Sequence, residues 1–297
     1  MPRPRGPKVS VLLEPAFLEK LERLRLVARR RTRGTVGERR SRALGRGLEF
    51  SDHRAYQVGD DWRYVDWNIY ARLDRLFVKL FEEEEDRDVH LLVDASASMR
   101  FGQPSKLDYA KRLAAALGYV ALANGDRVGA AALHGSAVRA LPPRRGRTHA
   151  RPLFRFLEAE EAYGLTELEE AAKRFAPRRR GLVVAVGDLL DPRGFQPFLL
   201  RLRHAGLEVF VVHLLAEEDL APPTPGELRV VDAETGESLE VTVDARMVRE
   251  FVAQRDAFLE SVRTFCARHG MAYVRATTAL PVEELVLRYL RRAGLVT

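Results

Sequence analysis

The chain has 297 residues, 46% of them apolar and 31% charged, with a net charge of +7. This balance fits a soluble globular protein with a sizeable core. No apolar run approaches the roughly 18–20 residues of a membrane span, and the start, Met-Pro-Arg-Pro-Arg, lacks the apolar stretch of a secretory signal. The single cysteine, Cys266, excludes an internal disulfide, so a cytoplasmic address is expected.

From the N-terminus, Phe17, Leu18, Leu21, Leu24 and Val27 recur at helical spacing, predicting an amphipathic helix from Pro15 to about Arg31. Residues 32–47 mix glycines with arginines and read as a flexible connection. The basic excess gathers here: residues 20–46 hold eleven Lys and Arg against Glu22 and Glu38. Such a stretch could hold nucleic acid phosphates, although Leu21 to Leu48 offers no aromatic for base stacking. The plainer reading is a solvated, arginine-rich helix and loop.

Arg54 to Asp74 is dense in Asp, Arg and aromatics. Two readings stand: a second acidic site built from Asp60, Asp61, Asp66 and Asp74, or a salt-bridged structural segment anchored by Tyr56, Trp62, Tyr64 and Trp67. Residues 75–81 alternate enough for a strand.

From Asp88 the pattern becomes regular. Predicted strands lie at 88–94, 127–133, 137–141, 181–188, 207–215 and 272–276. Predicted helices lie at 105–124, 149–159, 166–175, 195–204, 245–269 and 281–293. Strands alternating with helices predict an α/β fold with a doubly wound, mostly parallel sheet. Leu228–Val243 interrupts the alternation as an inserted hairpin. The expected organisation is therefore an N-terminal segment, 1–86, and an α/β domain, 87–297, with the hairpin insertion near 226–243.

Two of the buried strands end on an acid. Val89-His-Leu-Leu-Val-Asp94 runs into Ala-Ser96-Ala-Ser98, and Gly181-Leu-Val-Val-Ala-Val-Gly ends at Asp188. Between them, Thr166 falls at or near the start of a helix. If the two strands are neighbours, Asp94, Ser96, Ser98, Thr166 and Asp188 converge at the carboxyl edge of the sheet, where such folds build their sites. Two carboxylates and three hydroxyls form an all-oxygen set, suited to Mg²⁺ or Mn²⁺ and unlike the His and Cys set that zinc favours. Taken singly, each residue has an ordinary reading as a turn hydroxyl or a helix cap.

In order and spacing these five residues resemble the metal-ion-dependent adhesion site of the von Willebrand factor A fold. That motif has Asp-x-Ser-x-Ser after the first strand, a later Thr, and an Asp after the next long strand. The resemblance implies metal binding by Asp94, Ser96, Ser98, Thr166 and Asp188. A second resemblance rests on Gly47-Leu-Glu-Phe, Arg54-x-Tyr, Val58-Gly-Asp-Asp-x-Arg-x-Val-Asp-Trp67, Ala71-Arg72 and Val78-Lys-x-Phe. It extends through Asp232-Ala-Glu-Thr-Gly-Glu237 to Tyr273-Val-Arg-Ala-Thr-Thr278. On these motifs the chain is similar to the bacterial family of unknown function 58 (DUF58). Members are often encoded beside MoxR-type AAA+ ATPases, which implies an adaptor or chaperone-like partnership. Many members also carry transmembrane helices, of which this chain shows none.

Three functional classes follow. The first is a metal-dependent protein–protein interaction module whose bound Mg²⁺ recruits a partner's carboxylate. The second is a nucleic-acid-binding protein using 20–46. The third is a metal-dependent hydrolase or phosphatase, where Ser96 stands in the place of the acid/base aspartate of haloacid dehalogenases. No nucleophile-plus-base constellation or Walker-type loop is recognised, so an enzyme is not expected.

Overall fold

The computed structural model describes residues 12–26, 48–83, 88–175, 177, 179–232 and 236–297. They fall into two compact units: a large one holding 12–26 and 88–297, and a small one holding 48–83. The glycine- and arginine-rich connection, 32–47, lies outside the described residues, as does most of the basic stretch. Among the described residues, no helix is long and apolar enough to cross a membrane.

The first helix, α1 (Pro15–Leu21), belongs to the large unit. This corrects the division at 86/87, which grouped it with the N-terminal segment. The cause is its apolar stripe: Phe17, Leu21 and Leu24 are buried in the same core as the large sheet. The helix is also shorter than its spacing predicts. It stops at Leu21, after which Leu26 pairs with Val296 as an antiparallel bridge. Arg25 and Thr297 exchange backbone hydrogen bonds of 3.2 and 2.9 Å.

In the small unit, strands β1 (Leu48–Ala55) and β2 (Phe77–Glu83) pair antiparallel, with a register shift between Phe50 and Asp52. Helix α2 (Trp67–Leu73) is capped by Asp66, whose Oδ1 accepts the N–H groups of Asn68 and Ile69 at 3.0 and 3.3 Å. The other Asp66 oxygen takes His53 at 3.0 Å and Lys79 at 3.3 Å. Arg54 grips both oxygens of Asp60, at 2.8 and 2.9 Å, and Arg63 pairs with Asp61. Three of the four aspartates thus have dedicated basic partners, as in the salt-bridged reading. Of the aromatic anchors in that reading, Tyr56 and Tyr64 are half-buried, whereas Trp62 is 69% and Trp67 58% exposed; the buried apolar residues there are Val65 and Val78.

The large unit is built on six strands: β3 (Asp88–Asp94), β4 (Arg127–His134), β5 (Ala137–Arg144), β6 (Gly181–Gly187), β7 (Glu208–Leu215) and, named β10 in chain order, Ala272–Thr277. Their order is β10-β7-β6-β3-β4-β5, and every neighbouring pair is parallel except β4–β5. Helices α3 (Lys106–Ala123), α4 (Ala150–Glu158), α5 (Leu168–Arg174), α6 (Gln196–His204) and α8 (Ala245–Arg268) wrap it, with a short α7 (Glu217–Leu220) after β7. Strands β8 (Gly226–Val231) and β9 (Ser238–Val243) form the separate antiparallel pair expected between α7 and α8. The architecture is the mixed α/β arrangement with a mostly parallel sheet that the alternation predicts.

Alternation of side chains sets the two layers. Leu91 and Val93 of β3 point into one core with α1, α3 and α4, while Leu92 points into the other with α5, α6 and α8. Helix α3 lies close to α4 because position 118 has no side chain: a Cβ there would sit 2.4 Å from Leu153 Cδ2. The last helix is the least regular element. The helix expected at 281–293 is present from 282 to 292, but its middle, Leu285–Leu290, widens into a π-type turn.

Candidate functional site

β3 and β6 are adjacent and parallel, pairing Val93 with Val186. Their ends therefore put Asp94 and Asp188 side by side at the carboxyl edge of the sheet. Each strand is dominated by buried Val, Leu and Ala on both faces, which places it at the sheet centre, and each apolar run stops at its acid, Asp94 or Asp188.

Backbone hydrogen bonds lace three loops together at that edge. Ala95 N–H donates to Leu133 O at the end of β4, and Tyr163 N–H donates to Ala95 O, both at 2.9 Å. Ala97 N–H donates to Gly164 O at 3.0 Å, so the loop carrying Thr166 runs alongside the Asp94 loop. Leu168 N–H donates to Asp191 Oδ2 at 2.8 Å, joining the start of α5 to the loop after Asp188. Thr166, buried, lies two residues ahead of α5 and is not its cap.

The side chains form a connected polar cluster. Asp94 Oδ1 accepts the Ser96 N–H at 2.9 Å, and the Ser96 and Ser98 hydroxyls lie 3.1 Å apart. Ser98 Oγ donates to Asp188 Oδ2 at 2.9 Å, while Asp188 Oδ1 accepts Leu190 N–H at 3.1 Å. Leu189, between them, takes a left-handed φ of 59°, a strained turn for a γ-branched residue. Asp94 Oδ2 is buried and has no hydrogen-bond partner. Burial, with the charge of Asp188 added, pushes the Asp94 carboxyl up to about 7.

Two residues that sequence patterns left aside complete the cluster. Lys106, the first residue of α3, is 1% exposed in its side chain and donates to Asp188 Oδ2 at 2.7 Å. Its ammonium also meets Asp219 of α7 at 3.0 Å. Burial opposes the charge on Lys106, but Asp188 and Asp219 together outweigh it and raise its pKa. Beneath the site, His213 of β7 is buried against the Tyr273 hydroxyl at 3.1 Å, and burial lowers its pKa to about 4. Its register partner on β6 is Gly187.

An orphaned carboxylate oxygen beside two hydroxyls and a second carboxylate is a donor set that suits a hard divalent cation. Among the described residues there is no cluster of three or more His, Cys, Asp and Glu side chains placed to hold a metal. A cation here would be held by hydroxyls as much as by acids. Asp94, Ser96, Ser98 and Asp188 are the residues able to hold it, with Thr166 on the adjoining loop.

A family model described as "Protein of unknown function DUF58" matches residues 52–259. The chain belongs to the DUF58 family. Uncharacterised proteins of Mycobacterium bovis and Mycobacterium tuberculosis are 30% identical to it over 247 residues, covering 80% of this chain and 77% of theirs. Among solved structures, the conserved hypothetical protein BatB from Bacteroides thetaiotaomicron aligns with a TM-score of 0.41 at 18% identity, over 70% of this chain and 98% of that one. An aerotolerance-related membrane protein from Bacteroides fragilis aligns with a TM-score of 0.38 at 20% identity, over 69% and 99%. Within the DUF58 match lie all five oxygen residues together with Lys106 and Asp219, whereas α1 falls before it.

Proposed function

We propose that this DUF58 chain is a metal-dependent protein–protein interaction module, a von Willebrand factor A-like domain with a metal-ion-dependent adhesion site. Asp94, Ser96 and Ser98 hold Mg²⁺ or Mn²⁺, Asp188 acts directly or through water, and Thr166 closes on the ion when a partner binds. Because hydroxyls leave the ion's charge largely unneutralised, it attracts a carboxylate from the partner. The lone buried Cys266 fits a reducing compartment, so the module is assigned to the cytoplasm.

The observation that carries the reading is the pairing of a polar centre with an apolar rim. Asp94 Oδ2 is buried and unpartnered at the centre. Phe101, Tyr163, Leu165 and Leu190, each within three residues of a site residue, are large apolar side chains left exposed. Exposed apolar groups around a charged centre suit a protein surface better than a small hydrophilic substrate. The partner proposed is a MoxR-type AAA+ ATPase, on the family resemblance.

The test is capture of a purified MoxR-type AAA+ ATPase by this chain. Capture should fail in EDTA, return with Mg²⁺, and be lost in Ser96→Ala and Thr166→Ala. Charge reversal at Arg29–Arg31 should leave it nearly unchanged. Undiminished capture in EDTA overturns the metal-bridged model.

A further inference from the structure

A lysine in the first turn of a helix is opposed by the helix dipole. One that is also 1% exposed carries a large desolvation cost unless it is paired. Lys106 meets both conditions, and its partners explain its position. Asp188 Oδ2 takes the ammonium at 2.7 Å and the Ser98 hydroxyl at 2.9 Å, so the lysine charge lies one atom from the oxygen set of the site. Asp219 holds the ammonium from the other side at 3.0 Å and is itself positioned by accepting Ala216 N–H at 2.8 Å. When Asp94, Asp188 and Asp219 are all ionised they face one ammonium, and the excess of two negative charges then matches one divalent ion.

From this geometry we infer that Lys106 is a cation built into the site, which holds Asp188 toward Asp219 and opposes the loading of a divalent metal. The inference rests on the reading of the cluster as a metal site and adds its control. Without metal, the ammonium separates two acids that would otherwise repel, so the loops keep their arrangement. With metal, the fixed positive charge nearby weakens binding, so the ion is held loosely and can be exchanged or stripped. Lys106 is thus a positioning residue and a limiter of affinity. The link to Asp219 ties α7 to the occupancy of the site.

The test titrates Mn²⁺ alone into the full chain, following free Mn²⁺ by electron paramagnetic resonance, with folding checked by circular dichroism. Lys106→Met removes the charge at similar length. Lys106→Gln removes it while keeping a donor for Asp188, which guards against a variant that fails to fold. Both should bind Mn²⁺ about tenfold or more tightly than wild type, because a repelling charge at contact range is gone. Lys106→Arg, which retains the charge, should stay near wild type. A merely structural lysine predicts the reverse, weaker binding in both neutral variants.

If wild type binds and the neutral variants bind no better, the inference is overturned and the metal-site reading stands. If wild type takes no Mn²⁺ while the neutral variants do, Lys106 occupies the cation's role and the metal-dependent function of the natural chain is overturned instead. If none binds, both readings are overturned.

Discussion

Gly187 stands directly against Asp94 across the β6–β3 pair. A Cβ added to the glycine would lie 2.7 Å from the Asp94 Cβ and 3.1 Å from its Oδ2. Both atoms are anchored at the end of a buried strand, so neither can move aside cheaply. Gly187→Ala should therefore destabilise the fold by about 1–3 kcal/mol and displace the Asp94 carboxyl. The denaturation midpoint reads the first effect and loss of Mn²⁺ binding the second. An alanine variant that binds Mn²⁺ like wild type would show that Asp94 is not a ligand.

Metal should stabilise the folded chain by mass action. At about a hundredfold excess over the dissociation constant the gain is about 2.7 kcal/mol, visible as a rise in melting temperature. Asp94→Ala should remove the rise while the chain stays folded. An equal response of wild type and variant to Mg²⁺ would place the ion elsewhere.

Acid should unfold the large unit partly through His213. Burial holds its folded pKa at about 4, below the roughly 6.5 of an exposed histidine. As the pH falls below about 6.5 the unfolded chain takes up a proton that the native chain refuses. Stability is thus lost progressively between those two values, by up to roughly 3 kcal/mol. Urea midpoints measured from pH 7 to 4 should fall less steeply in His213→Asn than in wild type. Parallel slopes would mean that the histidine is not held neutral in the native state.

His134 and Glu160 make a buried pair at 2.9 Å, with Tyr163 stacked on the imidazole at 4.2 Å between ring centres. Glu160 opens the loop that carries Thr166, so the pair fastens that loop to the end of β4. His134→Leu should cost about 1–3 kcal/mol by removing one of two partners of the buried Glu160 carboxylate, the other being Arg139 at 3.3 Å. Adding Glu160→Leu should recover part of the loss. Additive costs in the double variant, read from urea unfolding, would show that the two side chains are not coupled.

The alternation of strands and helices was legible because β3, β6 and β7 are dominated by apolar residues, and Asp94 and Asp188 stood out by ending two of these runs. The strand order was not, since it depends on pairings between distant segments. Lys106 was not, since Ser105-Lys106-Leu107 reads locally as an ordinary helix start and the partner at Asp188 lies 82 residues away. Asp219 sits on a four-residue helix with no periodic signal. β1 was missed because Glu, Ser, Asp, His and Arg crowd its eight residues, and its pairing with β2 is settled by a partner beyond any local window. Exposure misled in the opposite sense at Trp62 and Trp67, where aromatic character suggested anchors and the rings face water.

The bridge between Leu26 and Val296 has a practical consequence for anyone dividing this protein. The large unit is discontinuous in sequence, with its first helix contributed from ahead of the small unit and its core completed from both sides. A fragment cut at residue 87 would lack Phe17, Leu21 and Leu24, leaving a vacant slot beside α3, where Tyr119 and Asn124 would lose their bonds to Glu22 and Leu24. Such a piece would be expected to aggregate or recruit chaperones, and its binding partners would report on an artificial apolar trench. Dissection is sounder as an excision that removes the small unit and rejoins the chain across the gap, keeping residues 12–26 in place.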